Sequence, residues 1–258
     1  MTNVARASES TRYLSIHAAQ LPVLGRHGQE RVRRACVHIS GLGRIGGSIA
    51  LVLHQAGIGH VLGNEPQRVE RENFGSWAFL RPPDLGKEKA LVLERFFDGR
   101  PHFVFEPLVA PTESREVDPY IKRAHLVISC ANTVRGRLAA ERKAIHYRKP
   151  VMQVAAFDGR KHLQGLITLR LPENHWSACF GCCLNEKREF PRGEGLLTTV
   201  TSALAAVAAN MAVQLLSGVR RDFIRRHSMF WIDLETYRIE ALAVQRKPGC
   251  TVCGRTQA

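Results

Sequence analysis

The sequence predicts an α/β protein with a mostly parallel sheet and crossover helices, on three observations. Short apolar, β-branched segments alternate with amphipathic ones between residues 35 and 156. A glycine-rich turn, Gly41-Leu42-Gly43-Arg44-Ile45-Gly46-Gly47, separates the first such strand from a helical run. The 258 residues, 45% hydrophobic and 23% charged, suffice for one sizeable core. A strand, a glycine turn and a helix in that order are Rossmann-like.

Taken in order, residues 1–34 read as a polar lead-in in which Leu24 to Arg34 forms a short amphipathic helix, and residues 35–258 as the main domain. Ala35 to Ser40 is a β-branched strand, Ser48 to Gln55 a helix, and Ala56-Gly57-Ile58-Gly59 its stop, with glycine available for a left-handed cap. His60 to Gly63 is a second strand with Glu65 just beyond it. After the Pro82-Pro83 break come a helix over Lys87 to Phe97, a strand over Pro101 to Leu108 and a short helix over Pro119 to Ala124. Leu126 to Cys130 is a buried strand, Val134 to Tyr147 a helix and Val151 to Ala156 the next strand. Past Asp158 the alternation stops: Leu163 to Leu171 is strand-like, Leu196 to Leu216 is a long Ala-rich apolar helix, and Phe230 to Val244 reads as C-terminal antiparallel strands.

No uncharged apolar run approaches the roughly 20 residues that span a bilayer, and Met1 to Ser10 lack the order of a signal peptide, so a cytoplasmic location is expected. The formal charge of +14 favours anionic partners. Its basic residues are scattered and lack the aromatic interleaving of a single-strand platform, so nucleic acid is not the expected partner. Of seven cysteines, Cys179 and Cys182 form one CxxC turn and Cys250 and Cys253 another. Two such turns suit a closed tetrahedral zinc site, structural because no position stays open; a redox pair or ordinary buried thiols are the other readings of the same spacing.

A GxGxxG turn lets the backbone approach a phosphate and aims a helix N-terminus at it. Glu65 lies where an acidic residue binds ribose hydroxyls. The following marks, Glu65 to Asn73 and Asn73 to Asp84-Leu85-Gly86-Lys87-Glu88-Lys89-Ala90, together with the closing Pro248-Gly249-Cys250-Thr251-Val252-Cys253-Gly254, resemble the ThiF/MoeB/HesA family, bacterial relatives of ubiquitin-activating enzymes. The resemblance covers most of the chain and implies a homodimer that uses ATP and Mg2+ to adenylate the C-terminal carboxylate of a ubiquitin-like or sulfur-carrier protein or peptide. It implies that Gly41, Gly43 and Gly46 cradle the phosphates, Glu65 binds the ribose, Asn73 positions the triphosphate and Lys89 is the catalytic lysine.

This chain also departs from the family pattern. Ser76 stands where the family has an arginine for the triphosphate, Ser15 where an arginine is donated across the dimer, and Asn132 where an aspartate binds magnesium. Arg12 and Arg81 are the cations near the first two places. Asparagine is a neutral ligand for a hard ion, so weakened metal-dependent chemistry is expected. Glu189 to Gly195 holds no cysteine to accept an acyl group, and Cys183 adjoins a zinc ligand. Two alternatives stand beside adenylation: a catalytically degenerate binding subunit of a heterodimer whose partner supplies the missing groups, and a protein resembling transfer-RNA threonylcarbamoyladenosine dehydratases.

Overall fold

The computed structural model describes residues 3–157, 163–183 and 196–254. Its strands are β1 (Cys36–Ser40), β2 (His60–Asn64), β3 (Val104–Leu108), β4 (Leu126–Ser129), β5 (Val151–Ala156), β6 (Gln164–Arg170), β7 (Met229–Asp233) and β8 (Arg238–Leu242). They form one sheet in the order β3-β2-β1-β4-β5-β6-β7-β8. β3 through β5 in that order pair in parallel; β5 with β6, β6 with β7 and β7 with β8 are antiparallel. The α/β fold class is therefore the one the sequence predicts. Every residue of β1 is buried, because helices cover both faces of a parallel sheet. β7 alternates between half-buried and buried, and β8 is an exposed edge.

The helices are α1 (Asn3–Ile16), α2 (Leu21–Arg34), α3 (Arg44–Gln55), α4 (Lys89–Phe97), α5 (Asp118–Arg123), α6 (Val134–His146), α7 (Phe180–Cys183), α8 (Thr198–Ser217) and α9 (Asp222–Arg225). One face of the sheet carries α2, α3, α4 and α8, with Val37, Ile39, Leu126, Ile128, Met152 and Val154 pointing into that core. Val127 and Val151 point to the opposite face, beneath α5 and α6. Against the expectation that no uncharged apolar run reaches membrane-spanning length, α8 is long and apolar enough to cross a membrane; half of that stretch is buried inside the protein. It ends at Gly218, whose φ of 79° supplies a left-handed cap.

The lead-in is more structured than expected. α1 precedes the expected helix, and α2 extends back to Leu21 across a kink at Gly25, φ 67°. Tyr13 ties this segment to the domain: its hydroxyl donates to Gly57 O at 2.7 Å and accepts from Gln29 Nε2 at 2.7 Å. Burial pushes that phenol up to about 12, so it stays a donor.

Candidate functional site

β1 lies between β2 and β4, so the connections leaving β1 and β4 diverge and open a crevice at their carboxyl ends. The glycine turn occupies that crevice. Gly41 has φ 86°, and a Cβ on it would sit 2.9 Å from Ala131 N and from the Cys130 carbonyl carbon. A Cβ on Gly46 would lie 1.9 Å from Gly41 O, so α3 packs directly on the turn, while Gly43 faces open space. The first helical hydrogen bond runs from Gly47 N to Gly43 O at 2.9 Å. The N–H groups of Gly43, Arg44, Ile45 and Gly46 have no acceptor among the described residues, which is the donor array an anion needs.

Glu65, buried just past β2, braces this turn: Oε2 accepts from Leu42 N at 3.0 Å and Oε1 from Gln67 N at 3.0 Å. A carboxylate retains further acceptor capacity, so ribose hydroxyls can still be bound. Gln67 continues the chain, its Oε1 accepting from Lys89 Nζ at 3.3 Å. Lys89 is only 6% exposed and makes no ion pair with a carboxylate among the described residues. Lys87, two positions earlier, is 52% exposed and pairs with Asp84 at 3.2 Å. The structure thus connects Gly41 through Leu42, Glu65 and Gln67 to Lys89. Asn73 is buried in the turn between; its Oδ1 accepts from Glu70 N at 2.9 Å.

The residues that sequence reasoning missed are the supports. Asp84 is fully buried, accepts from Arg81 N at 2.7 Å and Arg95 Nη2 at 2.8 Å, and is also bound by Arg95 Nη1. The Arg95 hydrogen bonds hold its carboxyl well below the usual carboxylate range. It locks the turn before α4, and with it the position of Lys89. An acidic residue just before a GK segment was visible in the sequence; its partner, eleven residues on, was not.

The three positions where the resemblance expects a charged residue hold neutral side chains. Asn132 is exposed beyond β4, next to the Ala131 that packs on Gly41. Ser76 is half-buried with its hydroxyl on the Asn73 and Glu72 carbonyls. Ser15 is exposed on α1 and donates to Arg12 O at 2.7 Å. Arg12 and Arg81 are both exposed. The Glu189 to Gly195 segment lies outside the described residues. Cys183 is half-buried, and burial pushes its thiol up to about 11, so it is protonated at neutral pH.

The two CxxC turns converge. Cys179 immediately precedes α7 and Cys182 lies within it, and Cys250 and Cys253 follow β8. Their sulfurs lie 3.7 Å apart for Cys179 and Cys182, 3.6 Å for Cys179 and Cys250, and 3.5 Å for Cys182 and Cys253, all four within 4.8 Å of one another. Tetrahedral zinc with bonds of about 2.3 Å separates its sulfurs by about 3.8 Å. The donor set and spacing fit zinc.

This arrangement matches known proteins along most of its length. The chain is 25% identical over 236 residues to the protein HesA, heterocyst, of Trichormus variabilis, covering 91% of this chain and 85% of that one. It is 26% identical over 244 residues to the sulfur carrier protein adenylyltransferase of Thermus thermophilus, covering 91% and 88%. Among solved structures, Escherichia coli MccB with MccA-N7isoASN superposes with a TM-score of 0.73 at 16% identity, covering 94% of this chain and 72% of that one; this likeness concerns the fold. The profile of the ThiF family matches residues 15–252, and the chain belongs to that family.

Proposed function

We propose that this protein adenylates the C-terminal carboxylate of a ubiquitin-like or sulfur-carrier protein or peptide at the expense of ATP. The observation that carries the reading is Lys89: an ammonium only 6% exposed, with a neutral amide as its partner, beside a turn of unpaired N–H groups. A buried cation without a carboxylate is costly unless an anion joins it. The adenylyltransferase relative supports a triphosphate as that anion.

In the proposed reaction a carboxylate oxygen of the carrier attacks the α-phosphorus, the bond to the bridging oxygen breaks, and pyrophosphate leaves with the electron pair. Lys89 offsets charge on the phosphoryl oxygens, the turn from Gly41 to Gly46 donates its N–H groups, Asn73 offers its amide, and Glu65 holds the ribose. Magnesium would enter with ATP. At the position the resemblance gives to the family aspartate the chain has Asn132, which offers one neutral oxygen, so no step is assigned to the ion. The assembly proposed is a homodimer in the cytoplasm.

Three neutral residues at charged positions, Ser15, Ser76 and Asn132, favour one competing reading, a binding subunit that depends on an active partner. Carrier-dependent exchange of labelled pyrophosphate into ATP decides between them. Adenylation predicts exchange with at least one member of a panel of sulfur-carrier proteins, abolished in Lys89→Ala. ATP binding without exchange across the panel supports the binding subunit instead.

A further inference from the structure

We propose that Arg44, inside the glycine turn, binds the β- and γ-phosphates of the nucleoside triphosphate and supplies the charge that Ser15 and Ser76 lack. This rests on the nucleotide reading above and adds to it a residue that the family resemblance does not assign.

The cations that frame the turn differ in whether they are paired. Four basic side chains lie in the segments framing the turn, 41–47, 65–70 and 84–89: Arg44, Arg68, Lys87 and Lys89. Arg68 is bound to Glu88 and to Gly86 O at 2.8 Å, and Lys87 to Asp84 at 3.2 Å. Lys89 has its amide partner. The guanidinium of Arg44, half-exposed, makes no hydrogen bond or ion pair among the described residues. Residues 130–134, which close the crevice from the β4 side, contain neither acid nor base.

Arg44 is also in the wrong place for helix stability. It is the first residue of α3, where the unpaired N–H groups and the helix dipole make the local potential positive, and the first turn contains no acidic residue. A cation there is disfavoured unless an anion occupies the same end. A bound triphosphate reverses the sign of the interaction, because the N–H array and the guanidinium then act on one ligand. A planar guanidinium on a long flexible stem can contact two phosphate oxygens at once, which suits a chain tail beyond the α-phosphate.

The test is calorimetric binding of ATP, AMP and adenosine to the zinc-loaded full chain, as wild type, Arg44→Ala, Arg44→Gln and Arg44→Lys, with Arg238→Ala on the distant β8 edge as a charge control. Losing a charge-assisted phosphate contact should weaken ATP about tenfold or more in Arg44→Ala and Arg44→Gln. Adenosine and AMP should change by less than about twofold, Arg44→Lys should recover part of the loss, and Arg238→Ala should bind ATP like wild type. Wild-type ATP affinity in Arg44→Ala overturns the proposal and leaves the nucleotide reading intact. An equal loss of adenosine and ATP also overturns it, because the arginine would then only shape the turn. If wild type binds no ATP, the nucleotide reading fails and this inference with it.

Discussion

Lys87 and Lys89 stand two residues apart and have opposite prospects as targets for mutation. Lys87→Ala removes a half-exposed pair with Asp84 and should cost no more than about 1 kcal/mol of stability, leaving ATP affinity unchanged. Lys89→Ala removes a buried cation without a carboxylate, so it should lose ATP affinity by about tenfold or more while the unfolding midpoint stays level or rises. Equilibrium unfolding beside calorimetry separates the two. Asp84→Asn is the converse: it removes the charge that Arg95 and Lys87 bind and replaces one of the two acceptor oxygens with a donor, and should cost about 3 kcal/mol. Because the folded carboxyl lies below its ordinary value of 3.8, its stabilising contribution is complete above that pH and is lost as pH falls below it. The variant should therefore show a shallower acid limb in unfolding titrations. His38, fully buried on β1, works at milder pH: burial lowers it from 6.5 to about 3, so the folded state excludes a proton that the unfolded state binds. Stability should fall by about 1.4 kcal/mol per pH unit below about 6.5 on this account, and His38→Leu should flatten that slope. At this scale spacing names Glu65, and the family resemblance names Asn73 and Lys89. The sequence could not show that Glu65 also braces Leu42, because that contact depends on how tightly the turn folds against β2.

The elements were legible to different degrees, for physical reasons. β1, β2, β4 and β5 are short β-branched runs flanked by breakers, and they lie where the pattern places them. α3 begins four residues earlier than the Ser48 start that periodicity gives, because Gly43 is its N-cap and the turn merges into its first coil. The helix expected from Lys87 begins at Lys89, since Lys87 N bonds back to Asp84 O in a tight turn. α1 is not legible in the sequence: it has little apolar periodicity, and what holds it is a set of long-range contacts, Tyr13 with Gly57 and Gln29, Ser10 with Glu30 at 2.5 Å and Glu9 with His102 at 3.8 Å. The CxxC turns were read from spacing alone, and the four sulfurs converge. The element-scale prediction concerns them. Purified protein should contain stoichiometric zinc, and chelation or Cys250→Ser should lower the unfolding midpoint while releasing the metal. Metal-free protein with an unchanged midpoint would remove zinc from the account.

At the scale of the molecule, the sheet order turns local motifs into a site. Strand alternation predicts a parallel sheet, but it does not state that β1 ends up between β2 and β4; that order brings the glycine turn against Ala131 and sets Asn132 beside it. The antiparallel half, β6 to β8, carries the second cysteine pair back to the first, and the four cysteines pack against α6 through Leu138 and Ile145. Restoring the carboxylate by Asn132→Asp should raise magnesium-dependent ATP affinity or exchange, since a charged oxygen binds that hard ion better than an amide does; equal magnesium dependence in both proteins would mean the position does not serve the ion.

The most direct test of the central claim is calorimetric titration of the zinc-loaded protein with ATP and magnesium, with NAD as the comparison ligand. The account predicts micromolar binding of ATP, about −8 kcal/mol, with no comparable heat from NAD and a clear loss in Lys89→Ala. Binding of NAD in preference to ATP, or of neither, would contradict it.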